Sequence, residues 1–169
     1  MKKIDLREPR LSDETEFLVA MQRSQILHYP WIKAPSNSAE FKEYLQRYQQ
    51  NNQASFLICS QENNIVGVIN INEIVRGSFQ SAYLGFYAVA DYVGQGYMSA
   101  GLKAVLQKTF KDHGLHRLEA NIQPENHPSI NLVKSNGFRY EGYSPRYLKI
   151  YDKWCDHERW AITSEEYCL

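Results

Sequence analysis

The sequence predicts a mixed α/β fold, a mostly antiparallel sheet flanked by helices with at least one strand-helix-strand crossover. Three observations carry this. Residues 54–60 and 65–74 are β-rich runs separated by Glu62-Asn63-Asn64, which is hairpin chemistry because asparagine tolerates left-handed dihedrals. The apolar run 84–90 feeds through the turn Val93-Gly94-Gln95-Gly96-Tyr97-Met98 into an amphipathic run at 97–113. Downstream, Asn126, Pro128 and Asn136-Gly137 bracket a short helix between two strand-like segments.

In chain order, residues 4–7 form a short first strand, and Ser12 offers an N-cap to a helix with Phe17, Leu18 and Met21 on one face. A second helix follows from Ser38, its stripe Phe41, Tyr44, Leu45 and Tyr48 set at i, i+3, i+4, i+7. The segment between them, with His28, Tyr29, Pro30, Trp31 and Pro35, reads as an irregular loop. After the hairpin, a strand runs from beyond Gly77 to about Ala90. The helix after the glycine turn carries Met98, Leu102, Val105, Leu106 and Phe110 as a single stripe. Residues 117–123 make the next strand. Residues 138–143 and 159–162 make the last two, with 147–156 either strand plus turn or loop.

At 169 residues with 43% apolar content, the chain fits one domain over 1–169, able to bury roughly two thirds of its unfolded surface. Nineteen Lys and Arg balance nineteen Asp and Glu, so there is no basic field of the kind nucleic-acid binding or membrane steering uses. Cys59, Cys155 and Cys168 are odd in number and show no Cys-x-x-Cys pair, and they read as reduced thiols of a cytoplasmic protein. His113, His116, His127 and His157 lack ligand spacing, so no metal is expected. No export signal or membrane span is visible.

The glycine turn is the chemically informative element. Gly94 and Gly96 lack Cβ atoms, so the backbone can bring N–H groups close to an anion that the positive end of the following helix also attracts. In sheets of this kind ligands sit at the carboxyl ends of strands, where this turn lies. A dinucleotide fingerprint would need a third small residue where Ser99 stands, and would open the first strand-helix unit rather than lie mid-chain.

The turn and its helix, together with Asn126-x-x-Ser129-x-x-Leu132-x-x-x-Asn136-Gly137-Phe138, resemble the paired signatures of the GNAT superfamily of N-acetyltransferases. The resemblance runs from about Ile4 to Ile162. Val75-Arg76-Gly77-Ser78-Phe79, Tyr83-Leu84-Gly85, Glu141-Gly142-Tyr143, Tyr147-Leu148 and Trp154-x-Asp156-His157 narrow it to the ribosomal-protein-alanine N-acetyltransferases. It implies a single-domain GNAT-like fold that moves acetyl from acetyl-CoA to an amine. The pyrophosphate would sit on Val93, Gly94, Gln95, Gly96, Tyr97 and Met98, and the pantetheine between splayed central strands. It also implies that Ser129 lies near the thioester sulfur and that Asn126 bonds pantetheine amides. A backbone N–H at Ala88 or Val89 would receive the thioester oxygen.

Two departures from the family pattern stand out. The position three residues before the first glycine, usually Gln or Arg, is Asp91, whose side chain is expected to face away from the anion. Where related enzymes carry a glutamate that accepts the amine proton, gapless counting from Ser129 reaches Leu148, which accepts none; Glu73, Glu119 and Glu141 are the alternatives. An α-amine with a pKa of about 7.7–8.0 is on the order of one-tenth neutral at pH 7, whereas a lysine amine at about 10.4 is well under one-thousandth neutral. A weak base or a water chain therefore suffices for an N-terminus.

Rigid aromatic side chains at Tyr29, Trp31 and Tyr147 are candidates for the acceptor groove. Three functions follow: acetylation of a protein N-terminal α-amine, with a ribosomal protein as leading acceptor; the same chemistry on a small amine; or an acyl-CoA binding module without turnover.

Overall fold

A computed structural model describes residues 2–167; Cys168, read above as a reduced thiol, lies outside them. The strands are β1 (Asp5–Arg7), β2 (Ala54–Cys59), β3 (Ile65–Val75), β4 (Ser81–Ala88), β5 (Arg117–Ile122), β6 (Arg139–Ile150) and β7 (Lys153–Thr163). The helices are α1 (Glu14–Arg23), α2 (Gln25–His28), α3 (Ser38–Arg47), α4 (Tyr97–Lys111) and α5 (His127–Ser135). One sheet holds every strand in the order β1-β2-β3-β4-β5-β7-β6. All neighbours are antiparallel except β4 and β5, joined by the α4 crossover.

Strands β2 and β3 read as near-continuous apolar runs because helices cover both faces of the sheet. Phe56 and Ile58 point to the side of α4 and α5, where Leu102, Val105, Leu106 and Val133 complete one core. Leu57 and Cys59 alternate to the other side against Phe17, Met21, Phe41 and Tyr44 of α1 and α3. Helix α4 lies unusually close to the sheet. A Cβ on Gly101 would overlap the Ile58 side chain, and one on Gly67 would overlap the Met98 sulfur.

The β2–β3 turn forms as expected: Asn63 takes φ +64 and Ser60 N–H donates to Asn64 O at 2.9 Å. Helix α3 begins at Ser38, capped by Asn37, whose side chain accepts from Glu40 N–H. Ser12 does not cap α1. It lies exposed in a 3-10 turn, Leu11–Asp13, while buried Asp13 accepts Arg10 N–H at 2.7 Å and two Arg7 bonds at 2.8 and 2.9 Å. A carboxylate with a bidentate guanidinium partner is a stronger organiser than a hydroxyl.

Strand β4 stops at Ala88, two residues short of expectation, because the chain turns through a 3-10 segment, Ala90–Tyr92. Residues 139–163 form one long hairpin: of the two readings for 147–156 the strand plus turn holds, and it joins the two expected short strands into β6 and β7. Tyr151 and Asp152 both take positive φ in its turn, and irregularities near Gly142 and between Ser144 and Leu148 let β6 pair with β7 past Pro145. Among the described residues no helix is long and apolar enough to cross a membrane.

Candidate active site

The central strands part. β4 pairs with β5 only from Ser81 to Leu84, opposite Arg117 to Ala120, after which β4 continues to Ala88 with no partner on that side. Val89 N–H donates to Val66 O at 3.0 Å, and Gly67 faces Ala88 in the register. Antiparallel alternation therefore turns the Ala88 N–H away from β3, into the opening that β5 has left. Of the two amides considered for an oxyanion, Val89 is committed to the ladder and Ala88 is not.

The end of β4 is held from α1 and α2. Ser24 Oγ accepts Ala90 N–H at 2.9 Å and donates to Ala20 O at 2.7 Å. His28 Nε2 lies 2.8 Å from Ala88 O, so it donates, and burial lowers the ring's pKa, keeping it neutral.

Two cavities open on either side of the gap. The first, about 530 Å3, runs along the glycine turn, the start of α4 and α5. Gly94 and Gly96 take φ +73 and +83, and a Cβ on either would meet nothing within 4 Å. Glycine is needed there for the dihedral and for close approach, not to avoid crowding. Gly96 precedes the 15-residue α4, whose first amides have no intrahelical acceptor, and Gly94, Gly96, Tyr97, Met98 and Ser99 line the cavity. The turn thus suits an anion. The rest of the cavity is largely apolar, with Leu27, Phe86 and Leu132, and suits an extended thin chain.

The second cavity, about 540 Å3, lies toward β3, β5, β6 and β7. It shares Trp31, Ile32, Phe86, Asn126 and Ser129 with the first. Asn126 Oδ1 accepts Ser129 N–H at 3.3 Å, the cap of α5, leaving the Ser129 hydroxyl without a hydrogen-bond partner among the described residues. Ser129 therefore stands where the chambers meet with its O–H free to turn to a ligand.

The expected site residues divide as follows. Ala88, Val93, Gly94, Gly96, Tyr97, Met98, Asn126 and Ser129 line the first cavity; Gln95 does not, its amide turning back to Asp91 O at 3.0 Å. The Asp91 carboxylate is also outside, 3.5 Å from Arg23. Trp31 borders both cavities and Tyr147 the second. Tyr29 borders neither: it is 65% exposed, with its ring 5.3 Å from that of Tyr151.

Of the alternative proton acceptors, Glu119 and Glu141 are tied to Arg117 and lie outside both cavities. The Arg117 hydrogen bonds hold the Glu141 carboxyl below its ordinary range. Glu73 borders the second cavity, where Gln53 donates to it at 3.2 Å. Leu148 borders it too, and supplies only an apolar wall. Sequence reasoning missed Asn121, Gln123 and His157 of this chamber. The alternation Arg117, Glu119, Asn121, Gln123 along β5 was a readable signal of a polar face.

An anion-suited turn after a strand, a parted sheet and a serine between two chambers suit the transfer of an acyl group. A family model described as an acetyltransferase (GNAT) domain matches residues 3–139, and the chain belongs to that family of N-acetyltransferases. Its relatives include the [ribosomal protein uS5]-alanine N-acetyltransferase of Escherichia coli K12, 37% identical over 106 residues, 63% of this chain. The match spans about half of that relative, 55%. The probable N-acetyltransferase YjcK of Bacillus subtilis is 28% identical over 73% of this chain and 69% of its own. Among solved structures, Mycobacterium smegmatis RimJ in complex with CoA-disulfide superposes with TM-score 0.91 and 27% identity, covering 99% of this chain and 85% of that one. Spermidine N-acetyltransferase from Vibrio cholerae, in complex with CoA and spermine, shares the fold at TM-score 0.83 and 20% identity, covering 98% of each chain.

Proposed function

We propose that the chain transfers acetyl from acetyl-CoA to the α-amine of a protein N-terminus, of the ribosomal-protein-alanine type. The observation that carries this is the meeting of the two chambers at Ser129 across the parted β4 and β5. One chamber carries amides for a diphosphate and an apolar channel; the other is open to an acceptor.

Acetyl-CoA supplies the acyl group as a thioester. The amides at 94–99 hold its diphosphate, and the unpaired edge of β4 at Phe86 and Ala88 offers peptide groups to the pantetheine arm. Ala88 N–H receives the thioester oxygen as it gains charge, and the Ser129 hydroxyl donates to the departing sulfur. Judged from cysteine, that thiol has a pKa of about 8.5, so one aligned donor stabilises the developing thiolate.

The chemistry of the second chamber supports a peptide over a polyamine. Among its described lining residues Glu73 is the sole carboxylate and Arg47 adds a positive charge, whereas a polycation calls for several carboxylates. Asn121 Oδ1 and Gln123 Nε2 are buried there without hydrogen-bond partners among the described residues. An acceptor atom and a donor atom on one chamber wall match a peptide's N–H and C=O; a polyamine has no carbonyl to meet Gln123.

The test is acetyl-CoA consumption against N-terminal peptides and free amines. Turnover with Ala-initiated peptides, little with spermidine, and a ten- to hundredfold lower kcat for Ser129→Ala are expected, about 1.4 to 2.7 kcal/mol in the barrier. Turnover confined to polyamines would overturn the acceptor, and no consumption with any acceptor would make the chain a binding module.

A further inference from the structure

We infer that His157 is the catalytic base, its Nε2 taking the proton of the acceptor amine. This rests on the acyl-transfer reading and adds the residue that Leu148 leaves missing.

The tautomer follows from the geometry. His157, on β7, is 3% exposed, and its Nδ1 lies 2.9 Å from Cys155 O. A carbonyl oxygen only accepts, so in the neutral ring the proton sits on Nδ1 and Nε2 carries the lone pair. Nε2 has no hydrogen-bond partner among the described residues, and the residue borders the acceptor chamber that ends at Ser129. A ring fixed at one nitrogen and open at the other is how a histidine base is oriented.

The surroundings keep it in the accepting form. Burial lowers the ring's pKa below its ordinary 6.5, against the Cys155 carbonyl and Asp156, which raise it. Asp156, on the same strand, is itself engaged by Arg146 N–H and Tyr143 OH. Facing the chamber from other elements are Tyr147 of β6, its ring 6.1 Å from that of His157, Tyr83 of β4, Glu73 of β3 and Arg47 of α3. No carboxylate is hydrogen-bonded to the imidazole among the described residues. The free base is therefore neutral at pH 7.

In the step, the neutral amine nitrogen bonds to the acyl carbon and the C–S bond breaks, its electron pair leaving on sulfur beside Ser129. The amine N–H proton passes to Nε2, acidified as the nitrogen gives up its lone pair, so a base of lowered pKa suffices. The imidazolium then returns its proton to solvent and the thiolate takes one up, which balances the reaction.

The test pairs His157→Asn, whose amide keeps a donor for Cys155 O, with Glu73→Gln. First, nitrogen-15 NMR of the free wild-type protein should show His157 protonated on Nδ1 and titrating below pH 6.5, a readout independent of turnover. Second, with a peptide the wild type turns over, kcat for His157→Asn should fall about 10²–10⁴-fold with KM for acetyl-CoA unchanged. On the acidic side of the wild-type kcat/KM profile one ionisation belongs to the acceptor amine at about 7.7–8.0 and remains in every variant, and a second should coincide with the NMR pKa and disappear in His157→Asn but not in Glu73→Gln. An Nε2–H tautomer, a His157→Asn enzyme with wild-type kcat and both ionisations, or loss of the second ionisation in Glu73→Gln would each overturn the assignment. A wild type inert toward every amine would instead sink the acyl-transfer reading.

Discussion

Gly96, at φ +83 before the first turn of α4, is where a single side chain most directly tests the proposed CoA cradle. Valine there is strained by on the order of 1–3 kcal/mol in the left-handed region, and its branches cover the amides. Gly96→Val should weaken CoA binding about tenfold or more by calorimetry while α4 stays folded; undiminished affinity in a folded variant would remove the cradle. The positive φ of Gly94 and Gly96 and the Asn126 cap on Ser129 N–H were legible in the sequence because each is local, a dihedral or a cap within three residues. His28 was not, since its meaning comes from Ala88, sixty residues away in the chain. His157 was legible only as a histidine without metal spacing, because what orients it is a backbone carbonyl. Tyr29 lies outside both cavities with its ring against Tyr151, and an aromatic loop residue looks the same in sequence whether it borders a groove or packs on a hairpin turn.

At the scale of elements, α4 aims the cradle, and the closeness of α4 to the sheet sets that aim. Gly101→Ala pushes a methyl into Ile58 and should cost about 1–3 kcal/mol in chemical denaturation. Ile58→Val in the same chain removes the nearest methyl and should recover part of that loss. Strict additivity of the two changes would mean that Gly101 and Ile58 do not share the space. Elements with strong periodicity or clear turn chemistry, such as α3, α4 and the β2–β3 hairpin, were readable within a few residues. The β6–β7 hairpin was not. Pro145, Gly142 and the positive φ of Tyr151 and Asp152 interrupt its alternation, and pairing across the bulges restores a ladder that no single-strand pattern records. Its turn matters to the site, since Tyr151 OH donates to Ile32 O at 3.1 Å and ties the hairpin to the loop bordering both chambers.

For the whole molecule, the functional shape arises from one topological fact. β4 and β5 are parallel neighbours joined by a helix, they separate after Leu84, and two cavities that share Phe86, Asn126 and Ser129 lie beside the gap. The order of strands and helices in the sequence foretold the crossover and the glycine turn at its start. It carried nothing about the second chamber, whose walls come from β3, β5, β6, β7 and the loop after α2. The most direct test is a crystal structure with a bisubstrate analogue, an Ala-initiated peptide joined through its α-amine to CoA. The diphosphate should lie on the amides at 94–99, the sulfur beside Ser129 Oγ, and the peptide in the chamber of Asn121, Gln123 and His157. A diphosphate bound elsewhere, or a peptide leaving along the same side of the sheet as the CoA, would contradict the account.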